Sequence, residues 1–337
     1  MTKDVDKWMT KTFGKLPSDG VVRVYEPIRE LTMVVPTRMV LGLGEEADEI
    51  VARTRHLLIA MWDGTIALPL TALGGDYAKG LAARKELIPV IRELIAQRRK
   101  QQAGGEQCGI DMLSQLVRAS DEQGKLSEEE IIDQVVVIFL AGYETSVSLI
   151  VTALHYLCKP ENAGVLAKLR AEQEQYPGVV SYSDVQAMSY LRNTLLECLR
   201  LYSPVQQFTK KVIKAFDFDG FTIPAGATFI YHIAASQRNT VEDPDELRPE
   251  RFDDQASPLH APYGFTPFAA NEFLCPGKGF ALLEAGLVVR QLVLAFDMQH
   301  ACPAPAIRMD PIFLRPTDGQ PIRFTPRAAR ASDEHTN

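Results

Sequence analysis

A chain of 337 residues, 46% hydrophobic and 23% charged, has the composition of a globular protein with a sizeable core, and its length admits one large domain or two. A formal net charge of -7 argues against a nucleic-acid binder, which carries a basic excess. Five cysteines, Cys108, Cys158, Cys198, Cys275 and Cys302, lack the paired short spacings of a disulfide framework or a zinc site and suit a reducing, cytoplasmic setting. Residues 1–15 carry Lys3, Asp4, Asp6, Lys7, Lys11 and Lys15 where a signal peptide needs an apolar core, and no stretch approaches the roughly 20 uninterrupted apolar residues of a membrane span.

Ile28, Leu31, Val34 and Val35 recur at helical spacing within residues 25–43, and a second helix is expected over 46–61. Pro69 and Gly74-Gly75 break the chain before a long amphipathic helix over 77–102 that ends in Arg98, Arg99 and Lys100. Ser127 and Glu130 have capping-box spacing and open the longest apolar helix, 131–157, closed by Pro160. Apolar on most faces, that helix belongs through the middle of a molecule. Two more helices are expected over 163–175 and 185–202, the second stopped by Ser203-Pro204. The texture then changes. Short β-branched and aromatic runs at 212–218, 221–223 and 228–233, punctuated by Gly220, Pro224 and Gly226, predict a small β region. Helix returns over 276–296, and 313–324 reads as a hairpin around Asp318-Gly319.

Four segments carry candidate chemistry. Cys275 lies in a loop just ahead of the helix expected from 276, where the positive helix end favours a thiolate. Pro276 and Gly277 suit the first helical position and a close backbone approach. In the long apolar helix, Ala141-Gly-Tyr-Glu-Thr-Ser146 places a glycine where alanine is the better helix former, which calls for a packing or ligand reason, and sets an acid, Glu144, beside an alcohol, Thr145. Glu197 and Arg200, three apart on a helix, meet on one face. Pro249-Glu-Arg-Phe252 precedes the cysteine. The six histidines have no metal-ligand spacing, and Gly42-Leu-Gly44 matches a dinucleotide fingerprint only on paper, since no strand precedes it.

In this order and at these spacings the segments resemble the cytochrome P450 family from its oxygen-binding helix to the C-terminus. The resemblance implies a mainly α fold with small β-sheets, lacking the family's N-terminal portion, in a single domain over 1–337: helices flanking the substrate pocket (1–126), the oxygen-binding helix to the Glu-x-x-Arg helix (127–202), and the β region, cysteine loop, C-terminal helix and hairpin (203–337). It implies haem b with Cys275 as axial ligand to the iron, Phe268 beside the sulfur, Pro276 and Gly277 in the loop, and Lys210 toward a haem propionate. Glu197, Arg200 and Arg251 become a buried network that locks the loop, and Ala141, Gly142, Glu144 and Thr145 the site that takes dioxygen and delivers protons. The family's Phe-x-x-Gly-x-Arg-x-Cys-x-Gly pattern is broken twice: Asn271 stands for the glycine, and Phe273 for the basic residue.

The activity implied is that of a monooxygenase acting on an apolar terpenoid, sterol or retinoid-like molecule, with dioxygen and electrons from a ferredoxin or an NADPH-dependent reductase. That donor is expected to dock on the cysteine side, where Lys278 and Arg290 are candidates by analogy. Phe208, Phe313 and the residues around Leu73 are read as pocket walls. An isomerase, dehydratase or peroxygenase of the same fold, or a haem-poor binding protein, are the alternatives.

Overall fold

The computed structural model describes residues 1–65, 67–71, 74–105, 109–124, 126–302, 307–310 and 313–327. Cys108 and Leu73 lie outside them, as does the side chain of Phe313. The chain runs α1 (Thr2–Phe13), β1 (Val21–Arg23), α2 (Tyr25–Leu41), α3 (Asp48–Thr65), α4 (Asp76–Ala103), α5 (Met112–Gln123) and α6 (Glu128–Leu157). It continues through α7 (Ala163–Gln173), α8 (Tyr182–Ala187), α9 (Ser189–Leu201), β2 (Gln207–Lys211), β3 (Phe216–Phe218), β4 (Phe221–Ile223), β5 (Thr228–His232) and α10 (Ile233–Asn239). It closes with α11 (Lys278–Ala295), β6 (Phe296–His300), β7 (Ile307–Asp310), β8 (Phe313–Pro316) and β9 (Pro321–Pro326). The result is mainly helical with small sheets.

Two compact units divide the chain: Met1–Lys11 with Pro27–Glu144, and Thr12–Glu26 with Thr145–Asn337. The first is helical. Its core gathers Ile28, Leu31 and Val35 of α2, Leu58 and Met61 of α3, and Leu87, Ile91 and Ile95 of α4, all buried. Gly64 and Gly80 let α3 and α4 close on each other, for a Cβ on Gly64 would stand 3.0 Å from the Gly80 Cα. Arg98 donates to the carbonyls of Leu41 (2.9 Å) and Gly42 (3.2 Å), which the end of α2 leaves without helical partners. Ser127 and Glu130 form the expected capping box, with the Ser127 N–H on Glu130 Oε2 at 2.7 Å and the Glu130 N–H on Ser127 Oγ at 3.2 Å.

In the second unit α9 and α11 pack together, with Leu191 and Leu195 of α9 against Gly286 of α11 and Leu191, Leu195, Val288 and Val289 all buried. Gly286 keeps them close, since a Cβ there would meet Leu191 Cδ2 at 3.4 Å. A three-stranded antiparallel sheet of order β1-β9-β6 lies in the same unit. Phe13, Phe296 and Phe324 cluster on it with ring centroids 4.8–5.4 Å apart.

Several expectations need correction. The hairpin over 313–324 does not form: β8 pairs with β7, while β9 pairs with β1 on one side and β6 on the other. Burial decides this, because Ile322 and Phe324 are buried in the centre of the three-stranded sheet, and a strand with a buried face is held in register there. The helix expected over 185–202 breaks at Met188 (φ -73°, ψ 81°) into α8 and α9, and α8 starts early because Ser181 and Asp184 form a capping box. The strand expected over 212–218 is instead β2, ending at Lys211, and β3, starting at Phe216. Neither α1 nor α5 is anticipated by the sequence reading. Among the described residues one helix, α6, is long and apolar enough to cross a membrane, contrary to that reading, although 67% of its most apolar window is buried within the protein.

Candidate functional site

The second unit contains a carboxylate that holds two guanidiniums. Glu197 and Arg200 on α9 are fully buried. They meet as a bidentate pair, Arg200 Nε to Glu197 Oε2 at 2.7 Å and Nη2 to Oε1 at 2.8 Å. Arg251, in the 3-10 turn Pro249–Phe252, donates Nε to Glu197 Oε1 at 3.1 Å, and the Arg248 N–H donates to the same oxygen at 3.2 Å. The outer nitrogens end on main-chain carbonyls: Arg200 on Pro244 (2.9 Å) and Glu246 (3.2 Å), Arg251 on Asp243 (2.7 Å). Buried charges are tolerable only with partners of this kind, and removing one partner is what costs stability.

From that turn the chain is braced toward the cysteine. Phe252 packs edge-on against Phe265 at 4.9 Å, and Thr266 Oγ1 lies 3.0 Å from Tyr231 Oη on β5. Ala269 (φ 58°) and Asn271 (φ 52°) adopt left-handed backbone, a conformation asparagine enters more readily than most residues. Asn271 Nδ2 also donates to Tyr263 Oη at 3.0 Å. The N–H groups of Phe273, Leu274 and Cys275 donate to the carbonyls of Ala270 (3.2 Å), Asn271 (3.0 Å) and Phe268 (2.9 Å). The loop therefore satisfies its own backbone.

Cys275 emerges from this loop exposed, ahead of α11, whose N-cap is Gly277. A Cβ on Gly277 would lie 3.7 Å from Cys275 Sγ, so the sulfur rests against the start of the helix. Phe273 and Leu274 are exposed to 64% and 53%. Lys210 Nζ stands 3.6 Å from the centre of the Phe273 ring, and Lys278 Nζ 5.9 Å from that of Phe268. Arg290, expected on a docking surface, is instead buried and spends its guanidinium on the carbonyls of Tyr176 and Gly178.

On α6, Ala141 and Gly142 are exposed, and a Cβ on Gly142 would meet nothing within 4 Å. The glycine thus has no packing neighbour that demands it. Glu144 is 1% exposed, and its Oε1 accepts from Arg29 Nε of α2 at 3.0 Å. The Arg29 guanidinium also lies 5.4 Å from the Tyr143 ring centre and 3.4 Å from Asp63 Oδ1. Nothing in the sequence marks Arg29, which stands among Glu26, Glu30 and Arg38 as a surface residue would. Thr145 is half-buried.

Glu284 was legible as the one carboxylate of the apolar helix α11, yet the sequence reading passes over it. It is fully buried, and burial pushes its carboxyl up to about 8, an effect that the nearby Ser146 hydroxyl only partly opposes.

A profile of the cytochrome P450 family matches residues 22–323. The chain belongs to the cytochrome P450 family. Taxane 10-beta-hydroxylase of Taxus cuspidata is 29% identical over 321 residues, covering 91% of this chain and 63% of that protein. Beta-amyrin 28-monooxygenase of Vitis vinifera is 30% identical over 316 residues, covering 90% and 64%. The chain thus spans less than two thirds of the length of these relatives. The retinoic acid bound cyanobacterial CYP120A1 superposes with a TM-score of 0.83 over 97% of this chain and 73% of that one, at 23% identity, a likeness of fold.

Family membership implies a haem cofactor, and the residues at Cys275 fit one. An exposed sulfur at a helix start, an apolar shoulder beside it and an ammonium at the edge suit a flat apolar ligand with a metal centre and anionic margins.

Two expected outcomes follow from the buried acids. Arg200→Met leaves Glu197 with half its charge compensation, and unfolding in urea should show a loss of about 3–5 kcal/mol; a loss well under about 1 kcal/mol contradicts the network as described. Glu284 has a folded-state pKa of about 8, above the ordinary 4.5, so the folded protein keeps a proton that the unfolded chain releases. Its contribution to stability is intact below pH 4.5 and falls as pH rises toward 8. Glu284→Gln, neutral throughout, should remove this decline and exceed the parent in stability by roughly 1–3 kcal/mol at the upper end of the window. A difference between the two proteins that does not vary with pH contradicts the assignment.

Proposed function

We propose that the chain is the haem-thiolate part of a monooxygenase that places one oxygen atom on an unactivated carbon of an apolar polycyclic terpenoid, with haem b held by Cys275. The observation that carries the reading is the self-braced loop presenting Cys275, exposed, at the start of α11. The bound haem supplies the activation of dioxygen, using two electrons from a ferredoxin or an NADPH-dependent reductase.

The chain's own residues do the rest. Cys275, exposed at the start of α11, would hold the metal. Phe268, Pro276 and Gly277 shape the contact around it, and Lys210 offers a cation to the porphyrin carboxylates. Glu197, Arg200 and Arg251 fix the turn that leads into the loop and take no part in chemistry. Gly142, next to Ala141, leaves open space for a molecule of dioxygen's size. Glu144 and Thr145 are the acid and alcohol that move protons. Glu144 also accepts from Arg29 Nε at 3.0 Å, so the guanidinium is part of the setting in which this acid works.

The terpenoid class rests on the relatives, which are named as taxane hydroxylases and beta-amyrin monooxygenases. The test is turnover of beta-amyrin by the hemin-loaded protein with a ferredoxin, its reductase and NADPH under heavy-isotope dioxygen. One labelled oxygen in the product is expected, with product per NADPH reduced at least about tenfold in Thr145→Ala. Isomerised or dehydrated product without label, or product formed with peroxide alone, contradicts the reading.

A further inference from the structure

Several cations of the second unit are held by carboxylates. Arg200 and Arg251 share Glu197, Lys168 pairs with Glu250, and Arg248 pairs with Asp243 and Glu246. Lys159, Lys210 and Lys278 stand over aromatic rings instead, at 4.7, 3.6 and 5.9 Å from the ring centres, and Lys210 is the nearest to its ring. Among the described residues no carboxylate lies within ion-pair distance of its ammonium, which instead stands 3.6 Å from the centre of the exposed Phe273 ring. Both partners are presented by fixed backbone. Lys210 sits on β2 directly opposite Phe229 of β5, with Phe208 and Tyr231 two positions along on the same face, their rings 5.2 Å apart. Phe273 lies in the 3-10 turn Asn271–Phe273, two residues before Cys275.

We propose that Phe273 is a cation seat: its ring face holds the Lys210 ammonium beside the cysteine loop, and this pair recognises the carboxylates of the porphyrin. The inference rests on the haem reading above and deepens it by giving Phe273 a binding role. A ring face attracts an ammonium through its quadrupole without neutralising it. The lysine therefore loses much of its conformational freedom in advance and keeps its full charge for an incoming anion. A carboxylate partner would have satisfied the charge and closed the site. The ligand this arrangement suits has an apolar body, to cover Phe273 and Leu274, and an anionic edge.

The test is hemin titration of the haem-depleted full chain, with the affinity read from the Soret absorbance and the same titration repeated with hemin dimethyl ester, whose carboxylates are blocked. Lys210→Met should weaken hemin roughly tenfold, and Phe273→Leu about threefold through loss of the seat. The two losses should not add in the double variant. Adding Phe273→Arg to Lys210→Met should restore affinity. With the dimethyl ester all of these proteins should bind alike, and Lys214→Met, an exposed lysine beyond β2, serves as the charge control. If the parent protein binds hemin through Cys275 and Lys210→Met matches it, or if the loss persists with the ester, this inference is overturned while the haem reading stands. Failure of the parent protein to take up hemin overturns both.

Discussion

A single buried carboxylate organises the cysteine side of this protein. Glu197 accepts from Arg200, Arg251 and the Arg248 main chain, and the two arginines in turn hold the carbonyls of Asp243, Pro244 and Glu246. The charges are costly to bury and are offset only by one another and by these carbonyls, so the turn at Pro249–Phe252 cannot shift without leaving a charge uncompensated. Everything downstream hangs on that turn: Phe252 against Phe265, Thr266 on Tyr231, then the left-handed residues Ala269 and Asn271 that deliver Cys275 to the head of α11. The stretch from the turn to the cysteine is irregular backbone and short 3-10 turns, with neither α-helix nor strand to stiffen it.

The ionisable groups fall into three physical states, and each matches a different task. Glu197 is buried and fully compensated, which makes it a brace. Among the described residues Glu284 is buried without a charge partner, and burial pushes its carboxyl well above the usual carboxylate range. Lys210 is exposed and seated on a ring, charged and open to an anion. Glu144 lies between the first two: buried, with Arg29 as its partner, although Arg29 also reaches Asp63.

The parts that sequence revealed are those where local chemistry and tertiary packing agree. Apolar periodicity located α2, α3, α4, α6, α7 and α11 within a few residues, and Ser127 with Glu130 marked the start of α6, because capping is decided by four neighbouring residues. The placement of Glu197 near Arg200 was legible from helical spacing, and Arg251 was joined to them only through the family resemblance. Partnerships across long sequence separations were not legible. Asp318-Gly319 is good turn chemistry, but the strand after it pairs with β1 and β6, whose partner residues lie at least 298 and 22 positions away respectively, because Ile322 and Phe324 need a buried face. The Arg29 contact to Glu144 spans 115 residues and left no local trace. In sequence Phe273 is a departure from the family's pattern and Lys210 a residue expected toward a propionate, and only the fold shows that they touch.

The central claim is that Cys275 is the sulfur that holds the haem iron. The most direct measurement is the carbon monoxide difference spectrum of the reduced, hemin-loaded protein, recorded beside Cys275→Ser. The account predicts the red-shifted Soret band of a thiolate-ligated ferrous haem in the parent protein and its absence in the serine variant. A parent band at the position of imidazole-ligated haem, or an unchanged band in Cys275→Ser, would contradict it.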